Sequence, residues 1–206
     1  MWLEQIRFAK IWMPLTENID RSFMTVFESN YRVRPARFEE LPLLSRIENS
    51  AAVLFLDTPY AFLVNDEPLS LDFVRQQYQA KRVWVAVDCH EIVVGYAIAR
   101  EVDETLYLQQ IDVEPEHGRR GIGSALIKTV CNWAKQQGYS IVSLSTFRDL
   151  PWNAPFYSKM GFCPVDEAEL TTGFQQIRLK ESEAGLPISD RVIMYCQLAR
   201  INCLDL

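Results

Sequence analysis

Three of the eight glycines fall within six residues, Gly118-Arg119-Arg120-Gly121-Ile122-Gly123, between an apolar run and an amphipathic one. Glycines in that position force a tight passage from a strand into a helix. A helix start carries unpaired N–H groups and partial positive charge. With its backbone left bare and two arginines beside it, such a start suits a phosphate. The cluster therefore fixes a strand–loop–helix unit and points to a phosphorylated ligand.

The flanking sequence extends that unit. Ile122, Ala125, Leu126, Val130, Trp133 and Ala134 recur at helical spacing, and Gly138 ends the run. Ile141–Phe147 then alternates as a strand, so strands over 105–113 and 140–147 are expected to lie parallel around a βαβ crossover. Upstream, Val83–Val87, Glu91–Arg100 and Thr105–Val113 are separated by short polar turns and read as an antiparallel meander. Tyr31–Pro35 reads as a first strand, residues 38–50 as an amphipathic helix with Phe38, Leu41, Leu44 and Ile47 inward, and Leu71–Gln79 as a second helix. Residues 153–160 read as a helix ended by Gly161, 167–184 as a polar, helical insert, and Val192–Leu198 as a last strand. The fold class is α/β of the α+β kind.

A length of 206 residues suits one domain, or one domain with appendages. A net charge of −6 argues against nucleic-acid binding. The cysteines Cys89, Cys131, Cys163, Cys196 and Cys203 are odd in number and show no C-x-x-C spacing. This pattern suits a reduced, cytoplasmic chain and offers no zinc site. His90 and His117 are too few for a multi-histidine metal centre. No apolar run approaches the roughly 20 residues that span a bilayer, so no membrane partner is expected. Residues 1–30 read as an extension ahead of a domain over 31–206. Trp2–Leu15 as a short amphipathic helix and Met24 as the natural start are open alternatives.

Two nucleotide readings of the cluster fail on spacing. Gly118 to Gly123 has the frame of a P-loop, but Ser124-Ala125 replaces the lysine and hydroxyl that hold terminal phosphates and magnesium. A dinucleotide turn starting at Gly121 needs a small residue where Leu126 stands, and the upstream meander is wrong for it. The stretch Ile111–Leu126 (IDVEPEHGRRGIGSAL) resembles instead the acetyl-CoA motif of the GNAT N-acetyltransferase superfamily. Asn153–Phe162 (NAPFYSKMGF) resembles that family's C-terminal signature, and the likeness runs over about residues 31–165. Gly121 and Gly123 match the family's glycines, whereas Gly118 stands where the family has Gln or Arg.

The resemblance implies a mixed, mostly antiparallel sheet flanked by helices, with one splayed parallel pair at the cofactor site. It implies that pantetheine pairs with the backbone of Ile111, Asp112 and Val113. The pyrophosphate would lie on the N–H groups of Arg119, Arg120, Gly121, Ile122, Gly123 and Ser124, and Asn153 would contact the cofactor arm. Asn153 as a simple helix N-cap is the other reading. Tyr157 falls at the family's general acid, and a backbone N–H, that of Val113, would meet the oxyanion. Many relatives carry an acidic base on the strand where this chain has Gln109 and Gln110. Glu101, Asp103, Glu104, Asp149, His117 and a water chain are the remaining candidates, and none is singled out. The implied activity is acetyl transfer from acetyl-CoA to an amine, of a small molecule or a peptide, without a metal. A non-catalytic acyl-CoA sensor is the alternative from another class. Phe55, Tyr60, Phe62 and Phe73 are candidates to line an acceptor pocket, and the last strand is a candidate edge for a homodimer.

Overall fold

The computed structural model of the protein describes residues 30–200. The expected Trp2–Leu15 helix and the Met24 start lie outside them. Seven strands form one sheet in the order β1-β2-β3-β4-β5-β7-β6. β1 (Arg32–Pro35), β2 (Val83–Val87), β3 (Val93–Val102) and β4 (Thr105–Val113) run antiparallel to one another as the meander requires. β5 (Ile141–Phe147) then lies parallel to β4 and antiparallel to β7 (Arg191–Gln197). A two-residue strand that the sequence pattern is too short to reveal, β6 (Cys163–Pro164), covers β7 at Met194 and Tyr195. The last strand is thus partnered on both sides.

The first helical segment departs from expectation. Pro42 lies inside it, and residues Phe38–Leu43 wind as a 3-10 helix before α1 (Leu44–Ala52) begins. A proline lacks the N–H that an α-helix interior needs. The changed winding leaves Phe38 58% exposed, while Leu41, Leu44 and Ile47 are buried. α2 (Leu71–Gln79) starts where Ser70 accepts a hydrogen bond from the Phe73 N–H. α3 (Ile122–Gln136) buries Ile122, Leu126, Ile127, Val130 and Ala134 against the sheet. Each fully buried leucine or isoleucine contributes about 1.5–3 kcal/mol relative to exposure.

α4 (Ala154–Lys159) and α5 (Thr172–Glu183) complete the layers. α5 is not the solvated insert that its polar composition suggests. Its Phe174 and Ile177 pack on Tyr107 and Ile193, and Arg178 and Glu181 are buried with them. The charges cancel locally: Arg178 pairs with Glu167 and Glu181, and Arg191 donates to Glu181. One sheet face therefore carries α3 and α4, and the other carries α1, α2 and α5.

Candidate active site

β4 and β5 pair as neighbouring strands only at Leu106–Val142 and Tyr107–Ser143. Beyond Tyr107 they diverge, because β4 stays paired with β3 as far as Val113 while β5 follows β7. The register settles which backbone groups meet the gap. The Glu114 N–H donates to Val94, so on an antiparallel strand the N–H and C=O of Asp112 also face β3, and those of Ile111 and Val113 face away. Ile111 and Val113 therefore turn their peptide groups toward the opening beside β5.

One extra residue decides the side chains on β4. Ile98 pairs with Gln110 and Ala99 with Leu108, leaving Gln109 as a bulge. Before it, Leu106 and Leu108 face α3; after it, Ile111 and Val113 do. The bulge thus moves Gln110 and Asp112 onto the face of Tyr107. Without it, the Asp112 carboxylate would point into the α3 core.

A cleft of about 660 Å³ runs along this face and through the splay. Gln110 donates to Asp112 Oδ2 at 2.8 Å, and Tyr96 stands opposite Asp112 on β3. Burial pushes the Asp112 carboxyl up to about 7, against the hydrogen bond from Gln110 that favours its charge. Behind it the Tyr96 hydroxyl donates to Glu48 Oε2 at 3.1 Å, and burial raises Glu48 as well. Sequence reasoning assigned only the backbone of Asp112. The signal for its side chain is the strand bulge, which alternation on β4 alone hides.

α4 brings Tyr157 to the same cleft. Its ring packs edge-on to Phe162 and tilted against Phe156, while its hydroxyl has no hydrogen-bond partner among the described residues. Burial, then the nearby Asp112 charge, hold its phenol above the ordinary range, so it keeps its proton at neutral pH. Asn153 occupies the N-cap position of α4, but its side chain makes no capping bond. Its Nδ2 is buried, unpaired and on the cleft lining. The cap reading fails, and a buried donor is left without a partner beside the groove.

At the other end of the splay, Gly121 caps α3 with φ 79°, a left-handed conformation costly for any side chain. The N–H groups of Ile122, Gly123 and Ser124 open the helix, while the Ile122 side chain anchors it in the core. Arg119 is exposed with φ 59°. Arg120 is tied back, donating to the Tyr31 hydroxyl at 2.9 Å and to the Glu116 carbonyl. Of the other candidate bases, Glu101 pairs with Arg82, and Asp103 accepts from Thr171 and Gly173. Neither lines the cleft. Phe55 and Phe73 do, whereas Tyr60 stacks on Phe147 and Phe62 is exposed. Among the described residues no cluster of His, Cys, Asp or Glu could hold a metal ion, and no helix is long and apolar enough to cross a membrane.

The model of the acetyltransferase (GNAT) family matches residues 50–162, more than half of the chain. The chain belongs to this GNAT family. Among curated relatives, N-acetyltransferase 8 of Homo sapiens is 40% identical over 85 residues, 38% of this chain and 37% of that protein. The GNAT chain thus matches little more than a third of the length of such relatives. Its fold is shared with the ribosomal-protein-S18-alanine N-acetyltransferase of Escherichia coli, with TM-score 0.58 and 18% identity over 84% of this chain and 96% of that one. The PaiA N-acetyltransferase of Thermoplasma acidophilum, in complex with coenzyme A, matches with TM-score 0.60 and 16% identity over 81% and 98%.

Proposed function

We propose that residues 31–206 form an acetyltransferase domain that passes an acetyl group from acetyl-CoA to a primary amine of a small molecule. The carrying observation is the divergence of β4 from β5 beyond Tyr107–Ser143. Asp112 and Tyr157 line one cleft there, and the helix start at Gly121 follows the end of β4 in the chain. The outward peptides of Ile111 and Val113 and the orphaned Asn153 Nδ2 suit the amide-rich arm of coenzyme A. The α3 start suits its pyrophosphate, with about 0.3–1 kcal/mol from the helix dipole alone. A structural relative that binds coenzyme A supports use of an acyl-CoA.

Acetyl-CoA supplies the activated thioester carbonyl. The Asp112 carboxylate accepts the proton that the attacking amine must lose, with Gln110 holding its second oxygen. The N–H of Val113 faces the side where the carbonyl oxygen would gain charge. Tyr157, held protonated, offers its O–H to the sulfur as the C–S bond breaks. One proton leaves nitrogen and one reaches sulfur, so solvent exchange at Asp112 and Tyr157 restores both groups.

Walls on both sides favour a small acceptor over a protein tail. Phe55 and Phe73 line the cleft from the segment between β1 and β2, and Ile177 and Glu181 line it from α5. The S18-alanine enzyme shows that the fold also serves protein acceptors, so a peptide amine is the second reading. Release of coenzyme A from acetyl-CoA, measured over a panel of amines and peptides, tests these readings. Turnover with small amines supports the first, and turnover with peptides alone replaces it by the second. Tight acetyl-CoA binding without turnover by any acceptor would make the protein a sensor.

A further inference from the structure

The acceptor end of the cleft holds positive charge that the protein leaves unanswered, in a chain of net charge −6. Arg100, on β3, is held in place on two sides. Its guanidinium lies 4.9 Å over the Tyr107 ring, and its Nε donates to Gln109 Oε1 at 2.7 Å. Its two terminal nitrogens meet no carboxylate among the described residues. Lys180, across the cleft on α5, likewise has no ion-pair partner among them.

The acidic groups on the same lining do not compensate. Glu181 is occupied by Arg178, Arg191 and the Ser145 hydroxyl. Asp112 sits three residues along β4 from Gln109, a span of about 10 Å in an extended strand. The fixed fork of Arg100 therefore stands on the same face as the proton-accepting carboxylate, at small-molecule range from it.

Resting on the acetyltransferase reading above, we infer that the acceptor is an amino acid or a close derivative, with its carboxylate bound by Arg100 and Lys180 and its amine turned toward Asp112. One planar fork and one ammonium match a monoanion, with the two free N–H edges of Arg100 meeting both carboxylate oxygens. On the same lining, the part-buried Phe55 and Phe73 present rings to an apolar body. The recognition is charge-assisted, with Arg100 part-buried and Lys180 exposed at the rim, which sets its worth at about 10- to 100-fold in affinity.

The test compares phenylalanine, phenylalaninamide, phenethylamine and the aminophosphonate analogue of phenylalanine as acceptors with acetyl-CoA, in the full-length protein. Phenylalanine is expected to exceed phenethylamine and the amide about 10- to 100-fold in kcat/KM, chiefly through KM. In Arg100→Gln that ratio collapses toward one, and Arg100→Lys restores part of it. The ratio is internal to each variant, so a general loss of activity does not mimic the effect. Equal or better use of phenethylamine by the wild-type protein overturns the inference while leaving acetyl transfer standing. Preference for the phosphonate overturns the carboxylate assignment. If no amine is acetylated, the acetyltransferase reading fails. Calorimetric binding of N-acetylphenylalanine then decides the anion site separately: binding that Arg100→Gln abolishes keeps it, and absent or unaffected binding rejects it.

Discussion

Asp112 stands directly opposite Tyr96 across the β3–β4 ladder, and both side chains lie on the α1–α2 face of the sheet. The pairing puts an ionisable carboxyl beside a buried phenol that already donates to Glu48. Burial outweighs the hydrogen bond from Gln110, so Asp112 exchanges its proton at about pH 7, well above the ordinary carboxylate value of about 3.9. A base with that affinity is loaded and unloaded at neutral pH.

Asp112→Asn is expected to lower kcat/KM by about 10²–10⁴-fold and to remove the ascending limb of the pH–rate profile near pH 7. The stability effect has a definite sign. A carboxyl whose folded-state pKa is raised favours the fold fully below its unfolded value and loses that contribution as pH rises through about 7. Relative to wild type, the asparagine variant therefore gains thermal stability at pH 8 and gains none at pH 4. An unchanged ascending limb in the variant would reject Asp112 as the base.

Tyr157→Phe separates chemistry from packing. The ring contacts with Phe156 and Phe162 survive in phenylalanine, and the lost hydroxyl leaves no protein partner behind. Unfolding temperature and coenzyme A affinity are expected to hold, while kcat falls about 10²-fold or more. Full turnover by the variant would reduce Tyr157 to a packed aromatic.

Much of this arrangement was legible in the chain. The crossover around Gly118–Gly123 was readable because glycine spacing, helical periodicity and the alternation of Val142 and Leu144 agree on one topology. Tyr157 and Asn153 came from their place in a matched motif. The placement of the Asp112 side chain, the proposed base, did not, because the Gln109 bulge reverses side-chain phase within one strand and no residue type in LQQIDV marks it. α5 misled for a different reason: Arg178 and Glu181 are buried as mutually compensated charges, which composition reads as solvent-facing. Phe38 failed because Pro42 changed the helical winding and with it the inward face.

Asn153→Ala tests whether the unpaired Nδ2 is held for a ligand. A buried donor without a partner costs about 1–3 kcal/mol, so its removal is not expected to destabilise the free protein. The rise in unfolding temperature on adding coenzyme A is expected to shrink, reflecting affinity weakened by about tenfold. A variant destabilised alone, with the ligand-induced shift intact, would return Asn153 to a structural role.

Gly123 offers a graded version of the same trade. A Cβ placed there meets Phe156 Cζ at 3.5 Å, an ordinary contact, so alanine fits but a longer side chain must turn into the helix start or displace Phe156. Inside the first turn of α3, alanine also favours the helix over glycine by up to about 1 kcal/mol. Gly123→Ala is therefore expected to raise the unfolding temperature and to weaken coenzyme A binding only slightly. Gly123→Leu is expected to keep the fold and lose about 100-fold in affinity by calorimetry, because its side chain covers the N–H groups a pyrophosphate would use. Stability rising while affinity falls marks a backbone kept bare for a ligand; affinity unchanged in the leucine variant would remove the pyrophosphate from this helix start.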